Sequence, residues 1–145
     1  MEEDSRIFLI TADLGYGVLD RILSDFPERA INIGSSEMLM IGMAVGLSYS
    51  GYIPVCYSIT PFVLYRPFEM IRNYAEHEKV PIKLIGTGRN KDYGSNGFTH
   101  WAEDDERIVK SAFPSMKFFK PDKLNDSMIK DFLYSDAPAY FNLKR

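Results

Sequence analysis

The chain has 145 residues, a formal net charge of −3 and 46% hydrophobic residues. This length is typical of one domain, and a domain of this size buries enough surface to fold around its own core. The apolar content excludes a disordered chain, and the acidic balance disfavours binding of nucleic acid, which requires a basic stripe on the surface. We therefore expect a single domain over residues 1–145 that does not bind nucleic acid.

The cysteine content and the hydropathy of the chain indicate the cellular compartment in which we expect the protein. Cys56 is the only cysteine, which excludes a disulfide within the chain and a zinc site built from several cysteines. Three of the first six residues are acidic, whereas a signal peptide begins with a basic region. The longest stretch without a polar side chain, residues 38–47, has about half the length of a membrane span. These features predict a protein of the cytoplasm without membrane association.

Short apolar segments rich in β-branched residues alternate along the chain with longer segments of helical pattern. This alternation is typical of βαβ units, which build a parallel sheet with helices on both faces. We therefore predict an α/β domain with a mostly parallel six-stranded sheet. The predicted strands are 7–11, 30–33, 52–57, 82–86, 116–119 and 139–143, and the predicted helices are about 15–25, 36–50, 67–79, 102–111 and 122–134.

Prolines and glycines set several of these boundaries. Pro27 ends the first helix, because a proline disfavours helical backbone in the residue before it. Gly51 is expected just beyond the second helix, and Pro67 at the first position of the third. Residues 58–66 are then interpreted as an extended loop at the carboxyl end of a strand, where ligands bind in open α/β sheets.

The second predicted helix is apolar on all sides between residues 38 and 47. A helix on a domain surface normally carries one apolar stripe and one polar face. Gly42 and Gly46 stand four residues apart on one side of this helix, which allows another backbone to approach closely. A central helix within one domain is one interpretation. We favour a helix that is covered by a second protein subunit, because the helices of a doubly wound domain lie on its outside.

Glu37 opens this apolar helix, directly after Ser35 and Ser36. An acidic residue in a first helical turn commonly complements the helix dipole, and either serine is a suitable N-cap. Here the next ten residues are apolar, so Glu37 lies at the edge of the expected interface. A carboxyl group that is partly removed from water there is suited to proton transfer.

His100 follows a glycine-containing segment, residues 93–99, and precedes four consecutive acidic residues, 103–106. The glycines predict a loop with special backbone angles. His100 could cap the following helix, or it could form a metal site with the acidic residues. Acidic residues in a first helical turn are more often partners of the helix dipole, so this pattern leaves the role of His100 open.

Several segments resemble, in chain order, motifs of the transketolase family. Residues 26–38 resemble its FPERxxNxGxxEQ segment, and Gly97-Phe98-Thr99-His100 resembles its GPTH motif. Further similar segments are Asp13-Leu14-Gly15 with ADLG, residues 54–73 with an aromatic loop and an RxFEQIRN helix, Glu103-Asp104 with ED, and residues 121–122 and 139–145 with the closing segment. The ordered set resembles the pyrimidine-binding (Pyr) domain in the carboxyl-terminal halves of split transketolases.

This resemblance implies a thiamine diphosphate-binding fold and a thiamine diphosphate cofactor. In the family, the cofactor lies between the Pyr domain of one subunit and the diphosphate-binding domain of another. The glutamate that matches Glu37 hydrogen-bonds N1′ of the aminopyrimidine and so promotes removal of the thiazolium proton. Glu37 is therefore implied to be catalytic, in agreement with its place at the edge of an apolar interface.

The resemblance also implies roles for five other residues. Phe62 and Tyr65 match the aromatic residues that pack on the pyrimidine, and Asp13 matches a position at the edge of the cofactor. Arg66 matches a position that faces the substrate phosphate in some relatives. His100 matches the histidine that contacts the oxygen atoms of the reacting carbonyl group.

The sequence departs from the family motifs at four positions. Asn96 replaces the aspartate that contacts a ketose hydroxyl group, and Phe98 replaces the proline of GPTH. Ile59 stands where many transketolases have an aromatic residue, and Met38 follows Glu37 in place of glutamine. Asn96 thus remains a candidate for donor binding, but the changed pocket favours a modified sugar or an acyl donor over an ordinary pentose phosphate.

The chain contains no Gly-Asp-Gly followed by asparagine, the family motif that holds magnesium and the diphosphate, and no transketolase carboxyl-terminal domain. We therefore expect a partner subunit that carries this motif and holds the magnesium, in a heterotetramer. No metal site is predicted in this chain.

Together, the residues and the resemblance predict the Pyr subunit of a split, thiamine diphosphate-dependent, transketolase-like transferase. Such an enzyme would move a two-carbon ketol or acyl unit from a sugar or sugar-phosphate donor to an aldehyde in carbohydrate metabolism. The alternatives are a subunit of a thiamine diphosphate-dependent 2-oxo-acid decarboxylase, a non-catalytic subunit that only binds its partner, and a self-sufficient homodimer that binds another small molecule.

Overall fold

All strands of the sheet run in the same direction. The computed structural model describes residues 1–145 and contains one sheet of six strands. The strands are β1 (Ile7–Thr11), β2 (Ala30–Asn32), β3 (Ile53–Ile59), β4 (Lys83–Thr87), β5 (Lys117–Phe119) and β6 (Ala139–Leu143). Their order across the sheet is β2–β1–β3–β4–β6–β5, and every neighbouring pair is parallel.

Helices cover both faces of this sheet. They are α1 (Asp20–Asp25), α2 (Glu37–Tyr49), α3 (Thr60–Leu64), α4 (Phe68–Met70), α5 (Asp105–Ala112) and α6 (Asp126–Tyr134), and α4 continues as a π-helical segment, Ile71–His77. Helices α2 to α5 pack on one face, whereas α1 and α6 pack on the other. The predicted α/β class, with a parallel six-stranded sheet and helices on both faces, is therefore confirmed.

Each face of the sheet has its own apolar core, because successive side chains of a strand point to opposite faces. The larger core contains the strand residues Ile10, Cys56, Leu84 and Tyr140, and the smaller core contains Leu9, Val55, Ala139 and Phe141. Full burial of one large apolar side chain stabilises a fold by about 1.5–3 kcal/mol. Two such cores hold the strands in one register.

This register brings the carboxyl ends of the central strands to a common edge. Thr11 of β1 is opposite Tyr57 of β3, Ile59 of β3 is opposite Thr87 of β4, and Thr87 is opposite Leu143 of β6. The segments that follow β1, β2, β3 and β4 therefore leave the sheet side by side. All the predicted site residues belong to these segments.

Three helices begin later than predicted, because local backbone interactions hold the preceding residues outside the helix. Before α1, Gly15 and Gly17 have φ of +98° and +74°, which is left-handed backbone that glycine adopts without strain. Before α5, the N–H of Ala102 donates to the carbonyl oxygen of Asn90 at 2.7 Å and forms an isolated bridge. Before α6, extended Asn125 caps the helix by accepting a hydrogen bond from the Met128 N–H at 2.9 Å.

The prediction of an extended loop over residues 58–66 is wrong. Strand β3 continues to Ile59, and Thr60–Leu64 form α3. Pro61 lies in the first turn of α3, where the missing N–H of proline costs no helical hydrogen bond. The boundary predicted at Pro27 is confirmed, since α1 ends at Asp25, and Gly51 follows α2 with a φ of +87°, as expected.

Helix α2 buries only one of its apolar sides within this chain. Met40, Ile41, Ala44 and Val45 are buried, and none of them is more than 6% exposed. On the opposite side, Met38 and Leu39 are 47% and 53% exposed. The helix thus leaves about half of the surface of these two large apolar residues uncovered by this chain.

No helix of the chain has the length and apolar character that crossing a membrane would require.

Lys83, the first residue of β4, is a charged residue with a buried side chain. Its Nζ donates to the carbonyl oxygens of Ser135 and Ala137, each at 2.7 Å. These bonds tie the amino end of β4 to the turn between α6 and β6. Burial lowers the pKa of Lys83 to about 8, because the ammonium ion loses hydration.

We predict a dependence of stability on pH from this lysine. An unfolded lysine keeps its proton up to a pKa of about 10.4, so between about pH 8 and 10.4 the unfolded chain binds more protons than the folded one. The free energy of unfolding therefore rises with pH in this window, by about 2 kcal/mol between pH 7.5 and 9.5. Urea unfolding of wild type and Lys83→Met at both pH values measures it, and a gain that is equal in the variant would contradict the assignment to Lys83.

Candidate active site

Asn32 organises the turn between β2 and α2 that presents Glu37. Its Oδ1 accepts hydrogen bonds from the N–H of Asp13 at 2.9 Å and from the N–H of Gly34 at 3.0 Å. The turn after β1 and the turn after β2 are therefore held together by one side chain. Gly34 has a φ of +71°, a conformation that glycine adopts without strain, and α2 begins three residues later at Glu37.

Glu37 is buried in spite of its charge. The residue is only 4% exposed, and its Oε1 accepts a hydrogen bond from Nη1 of Arg66 at 2.7 Å. Arg66 lies just beyond α3, and its side chain is 47% exposed. A buried carboxylate needs such a partner, because an unpaired charge is costly to remove from water. The sequence did not predict this ion pair.

Arg66 connects Glu37 to two aromatic rings. Its guanidinium carbon lies 3.5 Å from the centroid of the Phe62 ring, which is a close cation–π contact. The Phe62 ring in turn meets the His100 imidazole edge-on, with centroids 5.0 Å apart. Glu37, Arg66, Phe62 and His100 thus form a continuous series of contacts at the carboxyl edge of the sheet. We call these four residues the site row.

His100 reaches the site row on the segment between β4 and α5. The short 3₁₀ turn Phe98–His100 follows Gly97, which has a φ of +82°. The Thr99 hydroxyl lies 3.0 Å from Nδ1 of His100, and the Tyr93 ring centroid lies 6.2 Å from that of His100. The imidazole is therefore held between aromatic side chains while remaining partly exposed.

The other three predicted site residues do not belong to this row. The Tyr65 hydroxyl donates to Oδ1 of Asp104 at 2.7 Å, and burial together with this bond raises the pKa of Tyr65 above its usual range. Asn96 lies exposed in the 3₁₀ turn Gly94–Asn96, and Asp13 follows β1 with a φ of +54°. None of the three forms a hydrogen bond with the site row.

A buried polar network fixes both ends of the segment that carries His100. Nε of Arg89, after β4, donates to Oδ1 of Asn142 in β6 at 2.6 Å. The Asn142 amide donates to Asp105 at the start of α5, and the Tyr140 hydroxyl donates to the same carboxylate at 2.9 Å. All four residues are at most 5% exposed. One asparagine therefore joins a cation and an anion that flank residues 90–104.

The sequence analysis missed this network. The signal that could have revealed it is Asn142, a polar side chain inside an otherwise apolar strand. Buried polar groups are nearly always hydrogen-bonded, so such a residue indicates a specific partner. Asn32 was missed as well, although it occupies the asparagine position of the FPERxxNxGxxEQ segment.

Replacement of Asn142 by leucine should destabilise the fold by about 3 kcal/mol, because Arg89 and Asp105 would both lose a partner inside the protein. Urea unfolding measures the change. Lys123→Leu is the control, since Lys123 is exposed and forms no ion pair, and it should change stability by less than about 0.5 kcal/mol. An Asn142→Leu variant as stable as this control would show that the network contributes little.

Comparison with known sequences identifies the family. Residues 1–135 match the sequence profile described as "Transketolase, pyrimidine binding domain". The chain therefore belongs to the family of transketolase pyrimidine-binding domains, as the motifs predicted.

Similar proteins include subunits of transketolases. The 6-deoxy-6-sulfo-D-fructose transketolase subunit SqwH of Clostridium sp. (strain MSTE9) is 29% identical over 99% of this chain and 45% of its own length. A subunit of the apulose-4-phosphate transketolase of Actinobacillus succinogenes is 28% identical over 83% of this chain and 39% of its own length. This chain thus spans less than half of the length of these relatives.

A solved structure has the same fold at a comparable identity. It is described as "Split gene transketolase, inactive beta4 tetramer", and it is 29% identical to this chain, with a TM-score of 0.80 over 99% of this chain and 47% of its own. The family membership and this similarity agree with the parallel sheet described above.

Proposed function

We propose that this chain is the pyrimidine-binding subunit of a split, thiamine diphosphate-dependent, transketolase-like enzyme, and that Glu37 and His100 are its catalytic residues. One observation carries the proposal. In a transketolase Pyr fold, a buried glutamate at the start of an apolar helix pairs with Arg66, Arg66 covers the face of Phe62, and the Phe62 ring contacts His100.

The chemistry of the site row fits the pyrimidine half of thiamine diphosphate. An aminopyrimidine is a flat ring with polar nitrogen atoms at its edge. Phe62 offers an aromatic face for stacking, and Glu37 offers a carboxyl group that shares a proton with the ring nitrogen N1′. We assign the whole chain, residues 1–145, to the pyrimidine-binding domain. Within it, Tyr65 and Asp13 are further residues of the cofactor site. Magnesium and the diphosphate are assigned to the partner subunit.

Each residue then has a defined task. Thiamine diphosphate, when bound, supplies the carbanion chemistry of the transfer. Glu37 holds a proton at N1′ of the pyrimidine from a site with little access to water, and Phe62 orients the ring. His100, at the open end of the row, hydrogen-bonds the oxygen atoms of the donor carbonyl group, and Asn96 contributes to donor binding from the exposed turn beside it.

The donor is a modified sugar or sugar phosphate, and the acceptor is an aldehyde. Asn96 and Phe98 both depart from the family motif, and both are exposed on the segment that carries His100. The names of two relatives specify a sulfonated and a phosphorylated sugar of unusual structure. These names support a pocket adapted to a donor other than a common pentose phosphate.

The exposed side of α2 is the surface that binds the partner subunit in the proposed heterotetramer. Met38 and Leu39 lie on this side, directly after Glu37, so a partner seated there would also complete the site. Stable interfaces of this kind bury more than about 2,000 Å² and resemble a protein core. A partner with a Gly-Asp-Gly and asparagine motif would supply the missing half of the cofactor site.

Isolation of the chain from its native lysate, with mass spectrometry of the proteins that remain bound, tests the assembly. A stoichiometric partner that carries the Gly-Asp-Gly and asparagine motif would support the proposal. A chain recovered alone as a homodimer would contradict it and favour a small-molecule-binding protein.

Glu37→Gln should lower turnover of the assembled enzyme at least 100-fold, since general acid–base groups typically contribute about 10²–10⁴-fold to rate. Turnover is measured with a panel of sugar donors and an added aldehyde, and assembly is checked by size-exclusion chromatography. Glu69→Gln, at an exposed residue of α4, is the matched control.

Full turnover of the Glu37→Gln complex would exclude Glu37 as the activator of the cofactor. Product analysis separates the two thiamine diphosphate classes: a transferase joins its two-carbon unit to the aldehyde, whereas a 2-oxo-acid decarboxylase releases a new aldehyde. A wild-type complex without turnover on any donor would favour a non-catalytic subunit.

Leu39→Asp should weaken partner binding at least tenfold, because it places a charge in an apolar interface. Leu124→Asp is the matched control, since Leu124 is 50% exposed and Leu39 is 53% exposed, but Leu124 lies near the opposite face of the sheet. Biolayer interferometry with the purified partner measures both affinities. An equal effect of the two substitutions would show that α2 is not the interface.

A further inference from the structure

Arg66 contacts both groups that would bind the pyrimidine in the proposed cofactor site, the Glu37 carboxylate and the Phe62 ring. Its guanidinium donates to the Glu37 carboxylate at 2.7 Å and lies 3.5 Å from the centroid of the Phe62 ring. A guanidinium is planar and carries N–H donors at its edge. In these respects it resembles an aminopyrimidine protonated at N1′, which stacks on a ring and donates to a carboxylate.

The arginine and a bound pyrimidine cannot occupy this position together. A separation of 3.5 Å between the guanidinium carbon and the centroid of the Phe62 ring is that of atoms in van der Waals contact, so no second ring fits between the two groups. Arg66 is also the only side chain that donates a hydrogen bond to the Glu37 carboxylate. Stacking on this face of Phe62 therefore requires that the guanidinium leaves.

The surroundings of Arg66 allow it to leave. Its side chain is 47% exposed, and Glu37 is its only hydrogen-bond and ion-pair partner. It stands beyond the last residue of α3, so its movement breaks no helical hydrogen bond. Glu37 and Phe62, in contrast, are held by α2 and α3.

We infer that Arg66 is an internal competitor of the cofactor, which pairs with Glu37 and covers Phe62 in the free subunit and is displaced when the pyrimidine binds. This inference rests on the proposed function. It makes Arg66 a determinant of cofactor affinity, because part of the binding free energy is used to separate Arg66 from Glu37 and Phe62. The family resemblance implies that Arg66 contacts a substrate phosphate. In this inference, Arg66 makes that contact after the cofactor has displaced it from Glu37 and Phe62.

The competition predicts two effects of opposite sign for Arg66→Met. The free chain should unfold at a lower urea concentration, because the buried Glu37 carboxylate loses its partner. The assembled enzyme should bind thiamine diphosphate more tightly, with a Kd at least threefold lower, since no ion pair must be broken. If Arg66 only supported the structure, its replacement would lower both the stability of the free chain and the affinity for thiamine diphosphate. Changes of opposite sign therefore identify competition.

The affinity is measured by isothermal titration of thiamine diphosphate, with magnesium, into the complex of this chain and its partner. Arg72→Met is the matched control: Arg72 is exposed, lies in the neighbouring helical segment, and its side chain hydrogen-bonds only Asn73. It should leave the Kd unchanged. Arg66→Lys should give a Kd close to that of wild type or between the two, because lysine can pair with Glu37 but lacks the planar group that covers Phe62.

A double-mutant cycle in the free chain provides a second measurement that does not need the cofactor. The urea midpoints of Glu37→Gln, Arg66→Met and the double variant should be non-additive, because each single substitution removes the same contact. Additive midpoints would overturn the inference, since Arg66 and Glu37 would then not interact.

The outcomes separate the inference from the proposed function. A wild-type complex that binds thiamine diphosphate with the same Kd as the Arg66→Met complex overturns the competition and leaves the proposed function intact. An increase in Kd in Arg66→Met also overturns it and would make Arg66 a supporting residue. A wild-type complex that binds no thiamine diphosphate overturns both.

Discussion

The burial of one carboxylate, that of Glu37, is the constraint on which the candidate site depends. A charge removed from water must be paired, and α2 offers no polar neighbour because the residues after Glu37 are apolar. The pairing group therefore comes from another segment, and in this chain it is Arg66. Arg66 joins the end of α3 to the start of α2. Its guanidinium group also contacts Phe62, and the Phe62 ring contacts His100.

The parallel sheet makes this convergence possible. Parallel strands end at one edge, so the segments after β2, β3 and β4 meet there although they are far apart in sequence. The buried network at Asn142 keeps the longest of these segments in place at both of its ends. The site thus consists of side chains that extend from a frame whose register is held by two apolar cores.

In the proposed function, this edge of the sheet is half of a catalytic site. The site row supplies a carboxylate, an aromatic face and an imidazole, which suit a flat heteroaromatic ring and a carbonyl substrate. No group of three or more histidine, cysteine or acidic side chains is arranged to hold a metal ion. The exposed apolar side of α2 begins beside Glu37, so subunit association and completion of the site are proposed to occur on one continuous surface.

The fold and the residues of the candidate site could be predicted from the sequence alone, and of these two predictions the fold is confirmed. The alternation of apolar and helical segments predicted all six strands, because burial on both faces of a sheet imposes that pattern, and the ordered motifs indicated Glu37 and His100. The pairs of side chains that meet became visible only in three dimensions: Arg66 is 29 residues from Glu37, and Arg89 is 53 residues from Asn142. Local patterns carry no information about such pairs, because strand order and register, which are set by packing of the whole sheet, bring these residues together.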